Sequence, residues 1–205
     1  MTDEKIYFIL IDKDTLMPTV ENVMYNFMNC SQMMFGKMVR YGITYKTSQI
    51  GFTVYTRKSF HNYKVTITSE NFEGAVGANL SSMGKYAVAR KLQLCIHDAI
   101  TFDKLQEISV PNEAGVENLE ILYMTVSKDE TKIGVALGVK KIKEHQEVHE
   151  LAVYKKVEDL FVLEAICPFE FEETCSQFYF NQNNTSELLF FSTTEVIRFN
   201  YLEGR

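Results

Sequence analysis

Residues 81–108, SSMGKYAVARKLQLCIHDAITFDKLQEI, carry the pattern on which the fold turns. A polar turn leads into KYAVAR. After a short gap comes LQLCIHD, ending in His97-Asp98, and a further polar turn leads into KLQEI. The same order returns from Ser127. The turn SKDE precedes KIGVALG, a charged insert KKIKEHQEVHE covers residues 140–150, and LAVYKK and LFVLEAI follow. A third, partial copy has NQNNTSELLFFS (181–192) as turn and strand and VIRFNY (196–201) as the next strand. Short β-branched and aromatic runs bounded by polar turns are strand signals, and a recurring plan of them signals a repeat architecture.

These residues resemble WD40-type β-propeller repeats. Ser127-Lys128-Asp129-Glu130 before KIGVALG looks like that family's serine-proline-aspartate-glycine turn. IHDAITFDKLQEI looks like its third strand, its tryptophan-aspartate pair and the turn into the fourth strand. His97 stands in the tryptophan place, and Tyr154-Lys155 and Phe199-Asn200 occupy the comparable positions of the later copies. Ser82 to Ser127 and Lys155 to Asn200 are each 45 residues apart, within the roughly 40–45 of one such blade. Asp98 to Lys155 is 57, and the surplus coincides with the charged insert, since a longer loop costs little closure entropy. The chain departs from the family in having no tryptophan and no glycine-histidine pair, so the family's buried tetrad is not assembled by matching positions.

The resemblance implies a mainly β fold of antiparallel, propeller-like blades over about Phe72 to Tyr201, with a further degenerate copy across Tyr41 to Ser69. A β-sandwich or another antiparallel β fold meets the same alternation. Strands are expected near 85–90, 92–96, 119–126, 132–136, 151–154, 178–181, 188–191 and 196–200, with Ile121, Ile133, Val135, Val153, Phe190 and Ile197 between sheets. The insert 140–150 is expected to be exposed.

The N-terminal residues differ in texture, and a division at 1–42 and 43–205 follows. IYFILI at 6–11 reads as a buried strand. From Pro18, Val20, Val23, Met24, Phe27 and Met28 fall at the spacing of one helical face, which predicts a short helix. Two full copies and one that stops after its third strand are fewer than the blades a closed propeller needs. Either the chain is part of a longer polypeptide, or Ile6–Ile11 lies beside Val196–Tyr201, or a partner covers that edge.

A net charge of −6 repels a phosphate backbone, and no basic, aromatic-interleaved cluster offsets it, so nucleic acid is excluded as a partner. The run 6–11 is too short for a signal peptide or for a membrane span of about 20 residues, which predicts a cytoplasmic protein. Cys30, Cys95, Cys167 and Cys175 lack metal or redox spacing and read as small hydrophobes. In that compartment the glycosylation sequons at Asn29, Asn79, Asn183 and Asn184 are silent.

No segment reads as an enzyme site, and no cofactor is implied. His145 and His149 stand four apart as in zinc proteases, but Gln146 occupies the place of the general-base glutamate. His97 and Asp98 are neighbours on a strand and point to opposite faces, so they do not form a dyad. The resemblance implies instead a non-catalytic protein-interaction scaffold; a structural subunit of a large assembly is the alternative. Candidate partner-binding residues are Lys140, Lys141, Lys143, Glu144, His145, Glu147 and His149 in the insert, with the acidic strip Glu170, Glu172 and Glu173. The Met-rich stretch Met24–Met38 reads as packing, with partner docking as the other possibility.

Overall fold

The computed structural model describes the backbone of residues 5–11, 18–25, 30–35, 41–46, 51–61, 64–73, 75–140, 146–171, 177–192 and 194–204. Side chains are described for 75–80, 82–139, 147–169, 178–192 and 194–204. Seventeen strands form five antiparallel sheets among these residues. β1 (Lys5–Ile11) and β2 (Pro18–Tyr25) make a hairpin. β3 (Cys30–Phe35), β4 (Tyr41–Lys46), β5 (Gly51–His61) and β6 (Lys64–Glu73) make a four-stranded meander that joins residues on both sides of position 42.

Two further meanders follow: β7 (Val76–Leu80), β8 (Lys85–Arg90), β9 (Gln93–Asp98) and β10 (Lys104–Ser109), then β11 (Glu120–Val126), β12 (Lys132–Lys140), β13 (Gln146–Val157) and β14 (Leu160–Phe171). The last sheet is β15 (Gln177–Asn181), β16 (Asn184–Phe191) and β17 (Val196–Asn200). Every strand anticipated in residues 85–200 is present, with several extended by a few residues. His97-Asp98, Tyr154-Lys155 and Phe199-Asn200 each lie at or near the end of the third strand of their sheet.

The expected N-terminal helix is corrected: Pro18–Tyr25 is strand β2, paired from Lys5↔Tyr25 to Ile11↔Pro18. The register slips between Phe8 and Ile9, so that Asn22 and Val20 face consecutive residues and Glu21 is extra. A bulge makes an apolar spacing of three compatible with a strand, which is why Val20 and Val23 imitate a helical face. Pro18 heads the strand, where a missing N–H costs no ladder bond. Of the three alternatives for the last edge, the one that sets Ile6–Ile11 beside Val196–Tyr201 is not observed: β1 pairs with β2 in a two-stranded sheet, and β17 belongs to the sheet of β15 and β16. A hairpin closes a far shorter loop than a contact between chain ends.

Because each sheet is an antiparallel meander, its turns alternate between two rims. The β7–β8 and β11–β12 turns share the first rim, where the Glu130 carboxylate accepts from Ser82 N at 2.8 Å and from Ser82 Oγ at 2.6 Å. The 110–119 connection and the β8–β9 turn share the second rim, where Val110 N donates to Leu92 O and Ile121 N to Lys91 O. At the β11–β12 turn, Ser127 Oγ donates to Asp129 Oδ1 at 2.6 Å and accepts from Lys132 N at 2.9 Å. Glu130, the fourth residue of the SKDE turn, takes φ 56°, a left-handed conformation.

The core lies between sheets. Leu80, Leu94, Ile133, Val135, Leu137, Ala152 and Tyr154 fill the space between the β7–β10 and β11–β14 sheets. Leu151, Val153, Phe169, Phe178, Phe190 and Phe199 fill the next, with the Phe169 and Phe190 rings stacked at 4.4 Å and Phe199 edge-on to Phe169 at 5.0 Å. Of the six residues anticipated as core, Ile121, Ile133, Val135, Val153 and Phe190 are buried, and Ile197 packs partly buried against the cluster.

Candidate functional site

The side chains that invite a catalytic reading are held in structural bonds. Asp98 Oδ1 accepts from Ile100 N and Thr101 N, both at 2.8 Å, and so caps the β9–β10 turn. His97 lies 3.0 Å through Nδ1 from Phe102 O, and its ring stacks on Tyr86 at 5.2 Å. Both residues fold back on their own sheet.

At the first rim, Glu164 of β14 gathers three partners. Tyr201 Oη donates to Glu164 Oε2 at 2.8 Å, Lys132 Nζ lies 3.2 Å from the same oxygen, and Lys155 Nζ lies 3.6 Å from Oε1. Lys132 also donates to Tyr201 Oη at 2.5 Å. Burial pushes the Glu164 carboxyl up, but the Tyr201 hydroxyl and the two ammonium groups outweigh it and hold the group below the ordinary carboxylate range. The cluster ties the last sheet to the one before it.

The second rim carries a groove open to solvent. An open groove of about 820 Å³ is lined by Lys91, Leu92 and Gln93 of the β8–β9 turn, by Asn118, Leu119 and Glu120 leading into β11, and by Val139 near the end of β12. Val139 stands one residue before the end of β12. Lys140 ends β12, and only its backbone is described; Lys141, Lys143, Glu144 and His145 lie outside the described residues. Glu147 and His149 sit on β13, partly buried, with His149 Nε2 3.7 Å from Glu147 Oε2. The backbone of Glu170 belongs to β14, while Glu172 and Glu173 lie outside the described residues.

The expected exposure of 140–150 does not hold for its second half. β13 begins at Gln146, and Val148 and Glu150 are buried, Glu150 to 3% of its free exposure. The 110–119 connection crosses over this part of the strand, and the backbone groups of Glu113 and Ala114 hydrogen-bond to the Glu150 carboxylate, whose Oε2 has no partner. Nothing local to QEVHE announces this, because the covering segment comes from another sheet. Among the described residues no group of three or more His, Cys, Asp or Glu side chains is placed to hold a metal.

No protein-family model and no curated protein matches the sequence. Solved structures do. Atg21, in the complex of KlAtg21 with the coiled-coil of AgAtg16, aligns over 95% of this chain and 59% of its own, with a TM-score of 0.55 at 10% identity. The C-terminal WD40 domain of Sif2 aligns over 83% of this chain and 45% of its own, with a TM-score of 0.51 at 10% identity. The periplasmic gluconolactonase PpgL of Pseudomonas aeruginosa aligns over 98% of this chain and 61% of its own, with a TM-score of 0.56 at 10% identity. The present chain thus spans less than two thirds of the length of each, and at such identity the likeness establishes one thing, a β-propeller fold built from antiparallel sheets.

Proposed function

We propose that this chain is a non-catalytic, cytoplasmic protein-interaction scaffold of the WD40-like kind, with the second rim as its recruiting face. The observation that carries this reading is the groove itself, lined by Lys91, Asn118 and Glu120 and reaching Val139, one residue before the end of β12. Loops held on a rigid framework are where binding concentrates. Among the described residues, His97, Asp98 and His149 have partners of their own, which supports the non-catalytic reading.

Capture of partners from a native extract tests it, with Glu147→Lys and Lys91→Glu variants beside the parent chain. Loss of the same partner in both variants, at unchanged melting temperature, is expected. Hydrolysis of glucono-δ-lactone that co-purifies with the chain and is lost on heating it would overturn the non-catalytic reading.

A second reading, a structural subunit of a multiprotein assembly, draws on the exposed apolar side chains Val196 and Leu202 at the last strand and the turn after it. A cooperatively melting monomer favours the scaffold; aggregation of the isolated chain that a partner relieves favours the subunit.

A further inference from the structure

We propose that the second rim contains a receptor for one basic side chain, an arginine or lysine of a partner protein, with Glu150 as its carboxylate. The inference deepens the scaffold reading and rests on it. Glu150 is 3% exposed, and its Oε2 has no hydrogen-bond partner. A buried carboxylate oxygen without a donor is costly unless something pairs with it. The backbone groups of Glu113 and Ala114 bond the carboxylate, Glu113 adds its own negative charge, and His149 is close enough to act on it when protonated. Among the described residues Cys167, across the β13–β14 pairing, is a further titratable neighbour; burial pushes its thiol up to about 11, so it stays neutral.

The cover over Glu150 is thin. Glu113, Ala114 and Gly115 are exposed, Gly115 takes φ 65°, and the turn is braced from within by Gly115 N to Asn112 Oδ1 at 2.9 Å and Asn112 Nδ2 to Val116 O at 3.0 Å. For a partner's side chain to reach Oε2, this turn must swing aside. A metal ion would need several ligands, and the described residues offer no such group. One guanidinium or ammonium needs a single carboxylate with nearby carbonyl oxygens.

The full-length chain is titrated with the peptide acetyl-Gly-Arg-Gly-amide, with acetyl-Gly-Gln-Gly-amide as control, while the backbone amide resonances of Glu113 and Ala114 are followed. Saturable shifts with the arginine peptide, about tenfold weaker or absent in Glu150→Gln, are expected. Shifts spread over the surface and unchanged in Glu150→Gln, or no shift, would overturn the proposal. So would binding that appears only when Lys140, Lys141 and Lys143 are all replaced by alanine, since the chain's own lysine would then be the occupant. If partner capture still depends on Glu147 and Lys91 while the arginine peptide does not bind, the receptor falls and the scaffold reading stands.

Discussion

Gln106 of β10 and Phe161 of β14 are joined as if they were partners in one sheet. The Gln106 Nε2 donates to Phe161 O at 2.7 Å, and Phe161 N donates to Gln106 Oε1 at 2.9 Å. The amide side chain reproduces both bonds of a strand ladder and fastens the outer strand of one sheet to that of the next, across 55 residues of sequence.

Gln106→Ala leaves a partly buried N–H and C=O without partners and is expected to cost about 1–3 kcal/mol. Urea unfolding measures it. A Gln106→Glu variant, which keeps the acceptor and loses the donor, is expected to fall between the parent and the alanine variant. An alanine variant as stable as the parent would mean that water replaces the clamp.

The Glu164 cluster predicts an acid-labile joint. Its folded pKa is depressed below the ordinary value of 4.5, so its contribution is complete above that value and is lost as the pH falls through the lower folded value. The advantage of the parent chain over Glu164→Gln is therefore expected to be greatest at neutral pH and to shrink below pH 4.5. Tyr201→Phe removes one donor to the carboxylate and is expected to cost about 1–2 kcal/mol at neutral pH. A stability difference independent of pH would count against the ionic origin.

Glu150 predicts the opposite slope. Burial raises its carboxyl above the ordinary value of 4.5, against the backbone bonds from Ala114 and Glu113. A raised folded value means that stability is fullest below 4.5 and declines as the pH rises through the folded value. Glu150→Gln, uncharged and of the same shape, is expected to raise the melting temperature at pH 7 and to leave it unchanged in mild acid. A lower melting temperature at pH 7 would show that the backbone bonds to the charged form outweigh its burial.

Gly138 and Ile133 on β12 predict losses of opposite origin. A Cβ at Gly138 would fall on the Glu147 carbonyl oxygen and lie 2.6 Å from Leu122 Cδ1, at the bulge where the β12–β13 register shifts. Gly138→Ala is therefore expected to cost about 3 kcal/mol through overpacking. Ile133, fully buried between two sheets, is expected to cost about 2–5 kcal/mol on truncation to alanine through the cavity left behind. A Gly138→Ala chain that keeps its stability would require β13 to shift, which a change in the amide resonances of Glu147 and Val148 would report.

What was legible in the sequence was what ten consecutive residues can specify. Period-two alternation placed the strands from Lys85 to Asn200, and the serine and aspartate chemistry of SKDE located a turn whose bonds to Lys132 and Thr131 are all local. The bulge in the first hairpin defeated the same reasoning at Pro18, because an extra residue in a strand imitates helical spacing. Gln106, Glu130, Glu150 and Tyr201 are ordinary surface-type residues until another sheet is brought against them. Whether Glu150 is solvated or buried depends on a connection 36 residues earlier, at Ala114, lying across β13, and no local pattern records where that connection passes. The sequence by itself determined the strands and their turns, since these follow from backbone preference and side-chain alternation. Only the tertiary structure decided the clamps between sheets and the buried carboxylate, since these are set by which distant segments exclude water from the same place.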